Sequence, residues 1–359
     1  MKRFSKKMAN NFTSFPRSFI TASDVKTKAT HLSTEPSGIC KLDDSVLRIP
    51  LAVFYSIFFL FGLVGNLLVL WVFLNVHSKK NSVRVFLINT AIADLLLIIC
   101  LPFRVFYHSN HNQWTLGSTL CSVVGNAFYM NMYISITLLG LISVDRCIKI
   151  LQNTHRYRLP KRWSIVCCWI IWVFSLIATV PMIVFSEDSE VPHRCFQYKE
   201  RQKTIWKAKF NCALVAVFWL VFFTLVVSYG KIATKLLQTS KENPDLPNSL
   251  KYTRTAKKSF FILFLFTVCF VPYHGFRIVY IHSQISEVSC SWKGIVDKTN
   301  EVMLILSTFN TCLDPIMYFL LCGSVRKAVL QIFNSFISFQ GNDSSSLTAK
   351  HHTTSQRHG

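Results

Sequence analysis

Apolar residues run along this chain in long blocks separated by short polar stretches, not in the alternation of a half-buried strand. Seven blocks, near 47–75, 84–107, 118–150, 163–185, 208–237, 257–282 and 297–321, are each of membrane-spanning length. Hydrocarbon offers no water to backbone amides, so each block must satisfy its own hydrogen bonds. The pattern predicts an all-α fold, a seven-transmembrane helix bundle over 47–322. Residues 323–339, with Arg326 and Lys327 among apolar positions, predict a short amphipathic eighth helix lying along the membrane surface. The Ser/Thr-rich 340–359 reads as a disordered cytoplasmic tail. Residues 1–46 are polar and basic, without an apolar core of signal-peptide length, so the first span is expected to serve as insertion signal.

Composition supports the membrane reading. Hydrophobic residues make up 51% and charged residues 16%, against about 25% charged in a typical soluble domain. The net charge of +22 would suggest nucleic acid on a soluble protein. Here the cations gather in loops, where topology and anionic lipid headgroups account for them, and no nucleic-acid partner is expected. Lys79, Lys80 and Arg84 flank the first loop, Arg156, Arg158, Lys161 and Arg162 the third, and Lys231, Lys235, Lys251 and Arg254 the fifth. The second loop, 108–117, has neither lysine nor arginine. The odd loops are therefore expected in the cytoplasm and the N-terminus outside. The basic N-terminal tail runs against this rule, but most of it lies far from the first span. An outer N-terminus makes Asn11, in Asn11-Phe12-Thr13, a glycosylation site and leaves Asn342-Asp343-Ser344 silent.

Polar groups inside the blocks carry the candidate chemistry. Pro272 removes a backbone donor and kinks the sixth segment. Phe270, His274, Arg277 and Ile281 follow at spacings of four, three and four and share one helical face. An arginine there is costly unless it faces water, protein or a ligand. Either Arg277 snorkels to the interface, or its face looks into a polar cavity that takes an anion. Arg104 follows Pro102 in the second segment, Lys298 and Glu301 open the seventh, and Tyr129 and Tyr133 share a face of the third. Glu301 can pair with Arg277 or Lys298 and still leave positive excess. A phosphate suits an arginine fork and a lysine point charge, and the single acid suits an ammonium on the same ligand.

Asp94 sits mid-block and needs a partner, a cation or a proton. Asn66, Asn131, Ser135, Asn310 and Asp314 are expected at similar depth, as a hydrogen-bonded polar core or as a cation pocket. Asp145 and Arg146 close the third segment, where adjacent charges can neutralise each other. Pro315 breaks the seventh near its inner end. Cys40, Cys121, Cys195 and Cys290 all fall outside, where disulfides persist. Pairing Cys121 with Cys195 and Cys40 with Cys290 would tie loop to helix and tail to loop, but three pairings are open. Zinc-ligand spacing and nucleophile motifs are both lacking, and the chain shows no repeated half of the kind carriers use, so neither an enzyme nor a transporter or channel is favoured.

Gly62-Leu63-Val64-Gly65-Asn66, Asp94-Leu95, Asp145-Arg146-Cys147, Trp172, Cys269-Phe270-Val271-Pro272 and Asp314-Pro315-Ile316-Met317-Tyr318 fall in successive segments in order. From about residue 40 to 335 the chain resembles rhodopsin-like (class A) G-protein-coupled receptors. His274 with Arg277, the aspartate of Asp314-Pro315, the missing proline near Val221 and the Cys40/Cys290 pair resemble the purinoceptor-like branch. Ile92–Arg104, Phe128–Ser135 and Lys298–Glu301 are similar to its lysophosphatidylserine-responsive members.

The resemblance implies a plasma-membrane receptor that passes ligand binding to a heterotrimeric G protein of the inhibitory class, with arrestin and membrane lipid as further partners. The implied ligand is a lysophospholipid, lysophosphatidylserine, with a nucleotide or nucleotide sugar as the alternative on the same Arg277 and Lys298. Arg104, Arg277 and Lys298 would share phosphate and carboxylate, and Glu301 with Asn300 would take the ammonium. Tyr129, Tyr133, Phe196, Tyr273 and His274 would line the pocket. Asp94, Ser135 and Asn310 would hold an allosteric sodium ion, with Asp314 in place of the commoner asparagine. Phe270 would be the switch beneath the ligand, and Arg146 would swing toward Tyr229 and Tyr318. Cys147 stands where the usual motif has tyrosine.

Overall fold

A computed structural model describes residues 45–75, 82–151, 161–185, 194–242, 249–321 and most of 323–334. All of these belong to the compact unit Lys41–Gly359. The expectations for the N-terminal tail, for Asn11 and Cys40, and for 340–359 lie outside the described residues.

Seven helices follow in order: α1 Ser45–Asn75, α2 Ser82–Ser109, α3 Ser118–Leu151, α4 Lys161–Val184, α5 Ile205–Glu242, α6 Ser249–Ile285 and α7 Cys290–Leu321. Each is long and apolar enough to cross a membrane. After α7 the chain is helical again over 325–332, with Val325 and Ala328 buried three residues apart and Arg326 and Lys327 exposed.

The helices are apolar on every side, as membrane spans are. In α1, Tyr55, Phe58, Gly62, Asn66, Val69 and Phe73 recur at three- and four-residue intervals and face inward, while Ile57, Phe61 and Val64 face outward. Small residues let the helices approach: a methyl group on Gly65 would meet Pro315 Cγ at 2.9 Å, and one on Gly140 would meet Val221 Cγ1 at 2.8 Å. α4 is peripheral. Trp169, Ile170, Phe174 and Ile177 are exposed. Among the described residues α4 packs on α3 and α2 and scarcely on α5.

Three helices overrun the apolar blocks. α5 and α6 reach 38 and 37 residues, because backbone hydrogen bonds continue past the membrane into polar sequence. α7 begins at Cys290, not at 297. Its first two turns mix Trp292, Ile295 and Val296 with Ser291, Lys293 and Gly294, which breaks the apolar run, and Ser289 Oγ accepts the Trp292 amide at 3.3 Å and caps them. Lys298 and Glu301 therefore lie well inside α7 and do not open it.

Candidate functional site

At the end of the bundle that carries the Cys121–Cys195 disulfide, α3, α4, α5, α6 and α7, with Arg104 of α2, enclose a cavity of about 660 Å³. Two arginines define its polar side. Arg104 is 1% exposed. Its Nη1 lies 3.6 Å from Glu301 Oε2 and donates to the Tyr55 hydroxyl at 3.4 Å. Its guanidinium lies 4.4 Å from the centre of the Phe128 ring and 4.6 Å from that of Phe196. Arg277 is 7% exposed, so it does not reach for bulk water. It donates to Asn300 Oδ1 at 3.0 Å and to Asn211 Oδ1 at 3.4 Å. The rings of Tyr280, Tyr129 and Tyr273 surround it at 4.6, 5.6 and 5.7 Å. A buried cation held by neutral amides and aromatic rings, with no acid among its hydrogen-bond acceptors in the described residues, is prepared to receive an anion.

Residues 194–204 form a strap above the cavity. Cys195 ties it to α3, and Tyr198 ties it to α6 by donating to Ser283 Oγ at 3.1 Å and packing edge-on against Tyr280. Burial raises the Tyr198 phenol above its ordinary range, so it stays a donor. The Gln284 amide donates to the Lys199 carbonyl at 2.8 Å, the Arg201 amide to the Gln284 carbonyl at 2.8 Å, and Lys293 of α7 pairs with Glu200.

Between α4 and α5 the cavity wall is largely apolar. Phe174, Ala178 and Met182 of α4 face Phe210, Leu214 and Val217 of α5 across the seam where those helices scarcely touch. Phe174, Ala213 and Val217 line the cavity and are also exposed on the outer surface. The seam is thus open toward the membrane.

Below the cavity, His274 accepts no place in its lining. Its Nδ1 meets the Phe270 carbonyl at 2.9 Å, and its ring stacks on Phe218 at 3.7 Å. Tyr133 and Tyr273, which line the cavity, pack edge-on against it. Phe270 touches Phe266 at 4.8 Å. Deeper still, Ser135 donates to Asp94 Oδ1 and Asn310 to Asp314 Oδ2, both at 2.9 Å. Asp94 and Asp314 interact with each other. Among the described residues, oxygens of Asn131 and Asn310, and the second carboxylate oxygens of Asp94 and Asp314, have no hydrogen-bond donor beyond the contact between the two acids. At the far end, Asp145, Tyr229 and Tyr318 are buried and Arg146 is half-buried. Arg146 is close enough to Tyr229 to act on its hydroxyl electrostatically.

Residues 65–318 match the pattern of the 7 transmembrane receptor (rhodopsin family). The chain belongs to that family. It is 49% identical to Probable G-protein coupled receptor 34 of Mus musculus over 310 residues, covering 86% of this chain and 82% of that one. It is 47% identical to the Pan troglodytes protein of the same name over 338 residues, 93% and 88% of the two chains. The Uracil nucleotide/cysteinyl leukotriene receptor of Homo sapiens is 32% identical over 335 residues, 89% and 88% of the two chains. This is a G-protein-coupled receptor, a multi-pass plasma-membrane protein and not an enzyme, whose partners are a small-molecule ligand and a G protein.

Of the expected ligand residues, the receptor brings Arg104, Tyr129, Tyr133, Phe196, Tyr273, Arg277, Asn300 and Glu301 to the cavity. Lys298 is half-buried on α7 and does not line the cavity. His274 lies beneath the floor, against Tyr133 and Tyr273. Glu301 pairs with Arg104. Lys199, Arg201 and Lys207 supply cations that the sequence reading missed, with Asn211 beside them. Asn211 follows Lys207 by four residues, a spacing that puts them on one face and could have marked them. Cys290 is disulfide-bonded; its expected partner Cys40 lies outside the described residues.

Proposed function

We propose that this receptor responds to a lysophospholipid, and specifically to lysophosphatidylserine. The observation that supports this is the amphiphilic cavity: cations and amides at one end and, at the other, an apolar seam between α4 and α5 open to the membrane. Arg277 with Asn211 and Asn300 takes the phosphate. Arg104 and Glu301, already an ion pair, take the carboxylate and ammonium of a zwitterionic headgroup. The acyl chain lies in the seam. The disulfide-bearing end, with the N-terminus, faces outside, where such bonds persist. At the other end Arg146 moves toward Tyr229 and Tyr318 and admits an inhibitory-class G protein, and later arrestin. The donorless oxygens of Asp94, Asp314, Asn131 and Asn310 suit a sodium ion, which Asp94, Ser135 and Asn310 would hold.

A nucleotide is the second reading, favoured by the likeness to a receptor named for uracil nucleotides. It would use Arg277 but leave the apolar seam empty. In cells with verified surface receptor, lysophosphatidylserine should drive G-protein dissociation, and potency should rise with acyl length as each buried methylene adds about 0.8 kcal/mol. Arg277→Met should abolish the response at normal surface level. No response to any chain length, with a response to uridine nucleotides, would transfer the assignment to the second reading.

A further inference from the structure

We propose that the mouth of the α4–α5 seam is a docking site for the anionic headgroup of a lysophospholipid still resident in the bilayer, with Lys203 and Lys209 as its exposed cations and Lys207 as the step toward Arg277. This rests on the lysophospholipid reading and adds to it a capture step.

Helical register sets the position. Lys209, Ala213 and Val217 follow at intervals of four on the outward face of α5. Ala213 and Val217 line the seam, so Lys209 stands on the same stripe, about 6 Å or just over one turn further out. Lys203 is exposed just before α5 begins. Depth is marked by aromatic residues. Phe185, at the end of α4, and Trp206, at the start of α5, are both exposed and meet edge-on at 6.5 Å. An indole such as that of Trp206 settles at the level of lipid headgroups, which places the lysines beside phosphates rather than acyl chains.

The charge continues inward. Lys207 is buried, lines the cavity and donates to the Phe185 carbonyl at 2.6 Å, clasping the end of α4 across the seam. Its own carbonyl accepts from Asn211 Nδ2 at 2.8 Å, and Asn211 Oδ1 accepts from Arg277. A row of cations therefore runs from the lipid-facing surface to the interior arginine. Glu200, the acid nearest in sequence, is already paired with Lys293. A phosphate can move along this row while its acyl chain stays in the seam. As plain interfacial anchors, Lys203 and Lys209 would only snorkel and would leave association unaffected. The fourth-loop acids Glu187, Asp188 and Glu190 lie outside the described residues, so charge is varied at the lysines themselves.

The experiment uses the full chain in phosphatidylcholine nanodiscs and follows binding of oleoyl-lysophosphatidylserine at low and high salt. Lys203→Glu/Lys209→Glu should slow association about threefold to tenfold at low salt, with dissociation unchanged. High salt should close the gap. The arginine pair at both positions should keep the wild-type rate, and the glutamine pair, a second variant in case charge reversal disturbs folding, should fall between. Equal association rates for wild type and the glutamine and glutamate variants would overturn the docking site alone. A wild-type receptor that binds no lysophosphatidylserine would overturn both this proposal and the function it rests on.

Discussion

Arg104 and Glu301 show how a single pair can hold the site and yet resist reading as a binding residue set. Arg104 is almost wholly buried, against two aromatic rings, and Glu301 is its ionic partner. Removing one member of such a pair leaves an uncompensated charge in low dielectric, which costs about 3–5 kcal/mol, whereas replacing both with apolar groups is often neutral. Glu301→Gln should therefore lower the thermal midpoint of the purified receptor strongly. Arg104→Met/Glu301→Leu should recover most of that stability while remaining unresponsive to ligand. If Glu301→Gln left the midpoint unchanged, the pair would be of little structural weight. Arg104, Arg277 and Glu301 were legible in the sequence because a charge within an apolar block stands out. Lys207 was not, because it sits at a block edge where lysines are ordinary. The start of α7 was not legible either, because Lys293, Gly294, Asp297 and Lys298 interrupt the apolar Trp292, Ile295 and Val296.

Among the elements, α3 and α5 depend on a contact that no hydropathy pattern carries. α5 lacks a proline near Val221. In the fold, Val221 fills that place and lies against Gly140, where even one methyl group would come within 2.8 Å. Valine is stiff about χ1 and cannot simply turn away. Gly140→Ala should then destabilise the receptor by about 1–3 kcal/mol, the usual range for overpacking, and Val221→Ala on the same chain should relieve part of it. A double-mutant cycle on thermal midpoints would read a coupling between the two; strict additivity would separate them. The helices themselves were readable, since length and apolarity fix a span. Their ends were less so: the N-terminal cap at Ser289 is one hydroxyl in a polar stretch, and the overrun of α5 and α6 follows from backbone bonding that continues in water.

The whole bundle turns on an asymmetry. The strap of 194–204 is bonded to α3, α6 and α7 and closes the cavity from above, while α4 leaves α5 and opens it from the side. Neither feature belongs to one helix, and periodicity within a segment says nothing of which neighbours separate. A ligand whose tail occupies that opening gains affinity with each methylene, at about 0.8 kcal/mol apiece, until the chain emerges into lipid. Ala213 lies in the opening, exposed and with little packed against it. Ala213→Trp should fill the seam without straining the bundle core. Its surface level should match the wild type, a short-chain lysophosphatidylserine should keep its potency, and the gain on lengthening the chain should disappear. The slope of log potency against chain length is the measurement. An unchanged slope in the tryptophan variant would mean that the tail runs elsewhere, most simply upward past the strap, and the lateral opening would then be only a groove filled by bulk lipid.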